Sequence, residues 1–182
     1  MELSSPSNAS GGDFVLPDVL APGLRVVFCG TAPGLVSAAK KAYYAHPQNR
    51  FWRALSDVGL TPRLIRPEEY PLLPRFGLGL TDIAKEVSGM DKDLIAGALG
   101  RDACAALKEK IERFQPRILA FTSLNAGSKF LRHNAAFGEQ RERVGATLIW
   151  ILPSPSPAAN WNWEKNESFW RALAQAAGPP SV

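Results

Sequence analysis

Short unbroken apolar runs recur along this chain. Each ends in a cluster of Gly, Pro, Ser or Asp, and between them lie stretches whose apolar residues return every three or four positions. The run at 25–29 contains Val26, Val27 and Phe28, which predicts a strand covered on both faces. It opens into Gly30-Thr31-Ala32-Pro33-Gly34. Helical spacing of Phe51, Trp52, Leu55 and Val58, stopped by Gly59, predicts a helix over 49–58. Residues 62–74 read as irregular or briefly helical. A second strand is expected at 78–81 with Asp82 at its end, then a loop at 89–94. A helix follows over 102–114, with Asp102 as its N-cap and a stripe of Ala103, Leu107, Ile111 and Phe114. Residues 117–121 predict a third strand, 124–131 a helix, and 148–152 a fourth strand that opens into Pro153-Ser154-Pro155-Ser156-Pro157. The last helix is expected over 163–176.

Alternation of this kind predicts a three-layer α/β/α sandwich around a four-stranded, mostly parallel sheet. Ligands of such sheets sit beyond the carboxyl ends of the strands. The two loops with the most unusual chemistry, after the first and fourth predicted strands, fall there. No internal repeat is visible. The chain divides into a flexible N-terminal tail at 1–22, rich in Ser, Asn and Gly, one domain at 23–177, and a C-terminal tail at 178–182.

Composition narrows the chemistry only slightly. The chain has 182 residues, 46% of them hydrophobic, enough for one well-filled core. Its 21 basic and 17 acidic side chains give a net charge of +4, which suits a polyanionic partner without requiring one. Cys29 and Cys104 have no zinc or iron–sulfur spacing, so no metal, cluster or other cofactor is expected. Cys29 reads as a buried thiol, and this usage suits a reducing cytosol. No stretch is long and apolar enough to span a membrane.

Taken alone, the loop 30–34 reads as a tight ligand-free turn. It lacks the Lys-Ser/Thr of a P-loop and the spacing of a dinucleotide fingerprint. The tyrosines of Tyr43-Tyr44-Ala45-His46-Pro47-Gln48-Asn49-Arg50-Phe51-Trp52 read equally as packing or as a stacking platform for a base.

Taken together, Gly30-Thr31-Ala32-Pro33-Gly34, Pro47-Gln48-Asn49-Arg50-Phe51-Trp52 and Leu152-Pro153-Ser154-Pro155-Ser156-Pro157 resemble the motifs of the mismatch-specific uracil-DNA and thymine-DNA glycosylases, within the uracil-DNA glycosylase superfamily. Their first motif is usually written Gly-Ile-Asn-Pro-Gly, and the likeness spans about 24–173. It implies a monomeric enzyme, cytoplasmic in a prokaryote, that everts a damaged base from DNA, uracil first among candidates. By position, Tyr44 would stack on the everted pyrimidine, Ser37 would wall the pocket, and Thr31 and Ala32 would meet the base edge. Gly30, Gly34, Lys40, Lys41, Ser154, Ser156, Pro157, Ala158 and Asn160 would face DNA. The lysines read equally as an ordinary solvated pair.

Three departures matter. Ala32 replaces the motif-one asparagine, and a methyl group orients no water. Ser154 stands where classical uracil enzymes carry a histidine. Ala158, at the position that wedges into the duplex in relatives, is too small to fill the gap, and Asn160 and Trp161 are the nearby substitutes. Asp82 is therefore the candidate catalytic carboxylate, against the alternative of a strand-end or capping aspartate. Asp91 and Asp93 read as solvated, His46 as structural and His133 as a surface residue. No lysine occupies a Schiff-base position, so a water nucleophile and an abasic product are expected. Two alternatives stay open: another deaminated base such as hypoxanthine or xanthine as substrate, or a nearly inactive protein that binds mismatches or abasic sites.

Overall fold

The computed structural model describes residues 14–94 and 96–179, apart from the side chain of Asn160. Its centre is a five-stranded sheet in the order β2-β1-β3-β5-β4. The strands are β1 (Val26–Gly30), β2 (Leu78–Asp82), β3 (Ile118–Phe121), β4 (Gly138–Val144) and β5 (Thr147–Ile151). β2, β1, β3 and β5 run parallel, and β4 joins β5 antiparallel with a register shift between Glu139 and Arg143.

The expected four-stranded sheet is thus corrected to five. β4 reads Gly-Glu-Gln-Arg-Glu-Arg-Val and buries only Val144. It carries no apolar run because it is a solvated edge, where charged side chains also discourage pairing with another chain.

The helices are α1 (Leu35–Lys40), α2 (Phe51–Asp57), α3 (Arg101–Phe114), α4 (Leu124–Leu131) and α5 (Trp163–Ala177). The turn-like stretch before β2 is a 3-10 segment, Pro67–Phe76, with Pro71 and Pro74 inside it. α1 was not expected: it is one and a half turns long and its Leu35 is exposed, so it leaves little periodicity. α3 is capped by Gly100, not by Asp102, which lies in its first turn where its charge suits the helix dipole.

Apolar residues split between the two faces of the sheet. On one, Phe51, Trp52 and Leu55 of α2 and Trp170 and Leu173 of α5 pack on Val26, Phe28, Leu78 and Leu80. On the other, Leu107 and Ile111 of α3 and Ala126 of α4 pack on Val27, Cys29, Leu119 and Ile149. Alternation along β1 sends Val26 and Phe28 one way and Val27 and Cys29 the other.

Residues 14–22, expected as part of a flexible tail, are packed instead. Leu16 is fully buried, and Val19 exchanges two backbone hydrogen bonds with Leu80, covering the open edge of β2. Gly79 permits this approach, because a Cβ there would lie 2.5 Å from the Val19 carbonyl. At the other terminus, Gly178 accepts from the buried Arg25 guanidinium, which also donates to Phe76 and Leu60 carbonyls. The remaining tail residues, 1–13 and 180–182, lie outside the described residues.

Candidate active site

Parallel pairing aligns the carboxyl ends of β1, β2 and β3. Gly30 lies opposite Asp82, and Thr122 follows the last residue of β3. Three polar groups converge over Gly30. A Cβ built there would lie 2.7 Å from Asp82 Oδ1, 3.5 Å from the Tyr44 hydroxyl and 3.7 Å from Thr122 Oγ1. The Tyr44 hydroxyl and Thr122 Oγ1 share a hydrogen bond of 3.0 Å. Only glycine admits this convergence.

Asp82 is 3% exposed, and its Oδ2 has no hydrogen-bond partner among the described residues. Burial pushes its carboxyl up to about 7; Asp18 adds to the rise, while Lys85, Lys110 and the Gly30 amide hold it down. A carboxylate so placed changes protonation near neutrality.

The lysines belong to a network beneath it. Asp18 accepts from Lys85 at 2.9 Å, from Lys110 at 2.7 Å and from Thr81 at 2.7 Å. Lys85 also donates to the Tyr43 hydroxyl at 2.9 Å. Burial alone would raise Asp18, but the two lysines outweigh it and leave its carboxyl below the usual range.

Tyr44 has a φ of 50°, a left-handed conformation that disfavours a bulky residue and often marks functional strain. The turn is held by Ser37 Oγ, which accepts from Ala45 N at 3.1 Å, and by Trp52 Nε1, which donates to Tyr43 O. The Tyr44 ring stacks on Phe51 with centroids 3.9 Å apart. Burial and the neighbouring Asp82 raise the Tyr44 phenol well above its ordinary value, so it stays neutral.

The other expected site residues fall as follows. Ser37, expected to wall the pocket, is buried under the aromatic turn and braces it through the bond from Ala45 N. The Thr31 carbonyl accepts from Ala84 N, and its hydroxyl donates to Asp91, which also accepts from Asn125. Asp91, expected to be solvated, therefore clasps the first loop to α4. Ala32 is half-buried. Gly34, Lys40 and Lys41 are exposed around α1, on the loop's outer side.

In the second loop, Ser154 donates to Ser156 Oγ and accepts from Ser156 N, forming a self-contained turn. Pro155 O accepts from Arg50 N at 2.9 Å, fastening this loop to the start of α2. Ala158 is exposed. Trp161 is 86% exposed on the 3-10 turn Pro157–Asn162, beside the same loop. Asn160's side chain lies outside those described. His133 is exposed and paired with Glu142. His46, read as structural, accepts from Gln48 N at 3.1 Å and also lines a cavity of about 590 Å³ that runs from Tyr44 past Arg50 to Arg66 and Pro157.

The three segments singled out from sequence thus meet at one end of the sheet: Gly30 touches Tyr44, Tyr44 shares a cavity with Pro157, and Pro155 holds Arg50. Thr122 and Lys85 were missed. Thr122 has no motif around it, but its place just past a strand, level with Gly30 and Asp82, is a usable signal. Lys85 has none in the sequence, since its partner Asp18 lies 67 residues earlier.

At the carboxyl ends of the parallel strands, a buried carboxylate whose Oδ2 has no partner among the described residues stands beside the Tyr44 phenol. Residues 17–177 match the model of the uracil DNA glycosylase superfamily, and the chain belongs to it. Among solved structures, it is similar to the solution NMR structure of a protein from Methanosarcina acetivorans provisionally named a uracil DNA glycosylase. Identity is 22%, the match covers 89% of this chain and 96% of that one, and the TM-score is 0.60. At that identity the likeness establishes the α/β fold. Among the described residues, no helix is long and apolar enough to cross a membrane.

Proposed function

We propose that this protein is a monofunctional DNA glycosylase that everts uracil from DNA and hydrolyses its bond to deoxyribose. Superfamily membership supports the broader class, a DNA glycosylase. The observation that carries the finer reading is the convergence of Asp82, the Tyr44 hydroxyl and Thr122 over Gly30.

In this reading Tyr44, backed by Phe51, presents its ring to the base, while the base edge meets the amides of the first loop. Cleavage breaks the C1′–N bond, and the base leaves with the electron pair. Positive charge grows on the sugar, where the Asp82 carboxylate stabilises it. A water then bonds to C1′ and gives its proton to Asp82. In this reading Asp82 replaces the function lost with Ala32, its Oδ2 being a buried acceptor that no group among the described residues has taken.

Lys85 does not act as a Schiff base, because Asp18 and the Tyr43 hydroxyl already hold its ammonium. The product is an abasic site without strand cleavage. Trp161 takes over the wedge role that Ala158 is too small to fill.

The test is incubation with single-stranded, U·G and U·A oligonucleotides, and with hypoxanthine and xanthine counterparts, followed by alkali. Release of free uracil with alkali-labile strands supports the reading. Release only from purine substrates reassigns the base. Tight binding without release of any base makes the protein a lesion binder, and a borohydride-trapped adduct replaces water with an amine.

A further inference from the structure

The cavity beside Tyr44 does not turn toward Thr31 and Asp82, which are absent from its lining. It runs the other way, along α2 to the start of the Pro67–Phe76 segment. Its lining includes His46, Arg50, Arg53 and Arg66 and contains no aspartate or glutamate. A concave surface carrying three guanidinium groups and no carboxylate selects an anion.

These cations are mostly uncommitted. Among the described residues Arg53 makes no ion pair, and Arg50 lies over the Trp163 ring at 5.5 Å. The Arg66 side chain reaches Glu69 only through Nε at 3.4 Å and is 76% exposed, since Glu69 accepts from Arg66 N at 2.9 Å and is taken bidentately by Arg63. Gln48 N donates to His46 Nδ1 at 3.1 Å, so the neutral imidazole carries its proton on Nε2, as a donor.

The lining joins Tyr44 to Pro157 of the second loop, so a strand whose base is delivered to Tyr44 has this surface beside it.

We propose that this groove is a strand-binding site for the sugar–phosphate backbone flanking the everted nucleotide, with Arg53 and Arg66 neutralising phosphates and His46 donating to one. This rests on the reading that the strand ends receive the base. Planar guanidinium forks suit bidentate phosphate contact, and such contacts position DNA without reading its sequence. None of these three residues belongs to the motif-derived set of DNA-facing positions. They lie on α2 and the segments flanking it, not on the Gly-Pro or Pro-Ser loops.

The experiment measures the affinity of the full chain for a duplex containing a non-hydrolysable abasic analogue, by fluorescence anisotropy from 50 to 200 mM salt. Arg53→Gln, Arg66→Gln and the double variant are compared with Lys108→Gln, a control on α3 across the sheet, where Lys108 is paired with Glu112. Removing one phosphate contact lowers the slope of log affinity against log salt by about 0.7–0.9. Each arginine variant is expected to lose that much, the double variant about twice that, and the control nothing.

An unchanged slope in the double variant overturns the proposal, as does absence of measurable DNA binding by the wild type. Reduced slopes in a protein that releases no base leave the groove standing and remove the glycosylase reading. Intact base release with unchanged slopes does the reverse.

Discussion

Replacing Asp82 with Asn should stabilise the protein, and by an amount that depends on pH. In the unfolded chain the carboxyl ionises near 3.8, while in the folded protein burial moves it to about 7. Between those values the folded state holds a proton that the unfolded state has released, so stability falls as pH rises from about 4 to 7 and is level above that. At 1.36 kcal/mol for each tenfold step in proton affinity, the whole loss is about 4 kcal/mol. About 2–3 kcal/mol of it falls between pH 5 and pH 8. Asparagine has the shape of the protonated acid and does not titrate, so the variant escapes the loss. Groups remote from Asp82 cancel when variant and wild type are compared at each pH, and Asp18, held below the usual carboxylate range, stays ionised across this window. Urea unfolding at pH 5 and pH 8 reads the difference directly. For a chain of this size the advantage of Asp82→Asn should widen by about 5–10 °C in Tm between the two pH values. An advantage that stays constant with pH, or an Asn variant that loses most stability at pH 8, would show that the carboxylate is well solvated or paired in the folded state. Asp82 would then not be the desolvated catalytic carboxylate that the mechanism requires.

The neighbours of Asp82 give further predictions. Gly30→Ala places a methyl 2.7 Å from Asp82 Oδ1, and should lower stability by about 1–3 kcal/mol and slow base release; a variant normal in both would mean that the three groups do not crowd this point. Tyr44→Phe keeps the stack on Phe51 and loses the bond to Thr122, a loss of about 1 kcal/mol in stability, whereas Tyr44→Ala should also raise KM for the damaged oligonucleotide. Equal KM values for the two variants would deny the ring its role. Trp161→Ala should leave Tm unchanged, because the side chain is 86% exposed, yet weaken binding to duplex by about 1–3 kcal/mol. Unchanged duplex affinity would remove the wedge.

The sequence carried the parallel core plainly and its margins poorly. β1, β3 and β5 are buried on both faces, so each appears as a continuous apolar run, and their predicted bounds lie within a residue of those observed. β4 was invisible because an edge strand of Glu, Gln and Arg obeys pairing, not burial. The segment at 14–22 looked like a tail because what holds it, the Val19–Leu80 pairing and the Asp18–Lys85–Lys110 ion pairs, is made with residues more than 60 positions away. Local composition contains no trace of that. In the site, the motif loops and Asp82 could be read because glycine, proline and a strand-end carboxylate are unusual where they stand. Ser37 and Asp91 have partners that local sequence does not reveal: the buried hydroxyl accepts from a backbone amide, and the exposed carboxylate accepts from two donors. Such choices depend on which donors the fold brings within reach, and spacing along the chain does not encode them.

The claim on which the rest depends is that the Asp82 carboxylate, ionising near neutrality at the end of β2, drives base release. The direct test is the single-turnover rate of uracil release from a U·G duplex between pH 5 and pH 9, for the wild type and Asp82→Asn. The account predicts a wild-type rate that rises about tenfold per pH unit, levels off near 7, and drops by at least about a hundredfold in the variant, which should show no such rise. A flat or falling wild-type profile, or an Asp82→Asn variant that releases uracil at the wild-type rate, would contradict it.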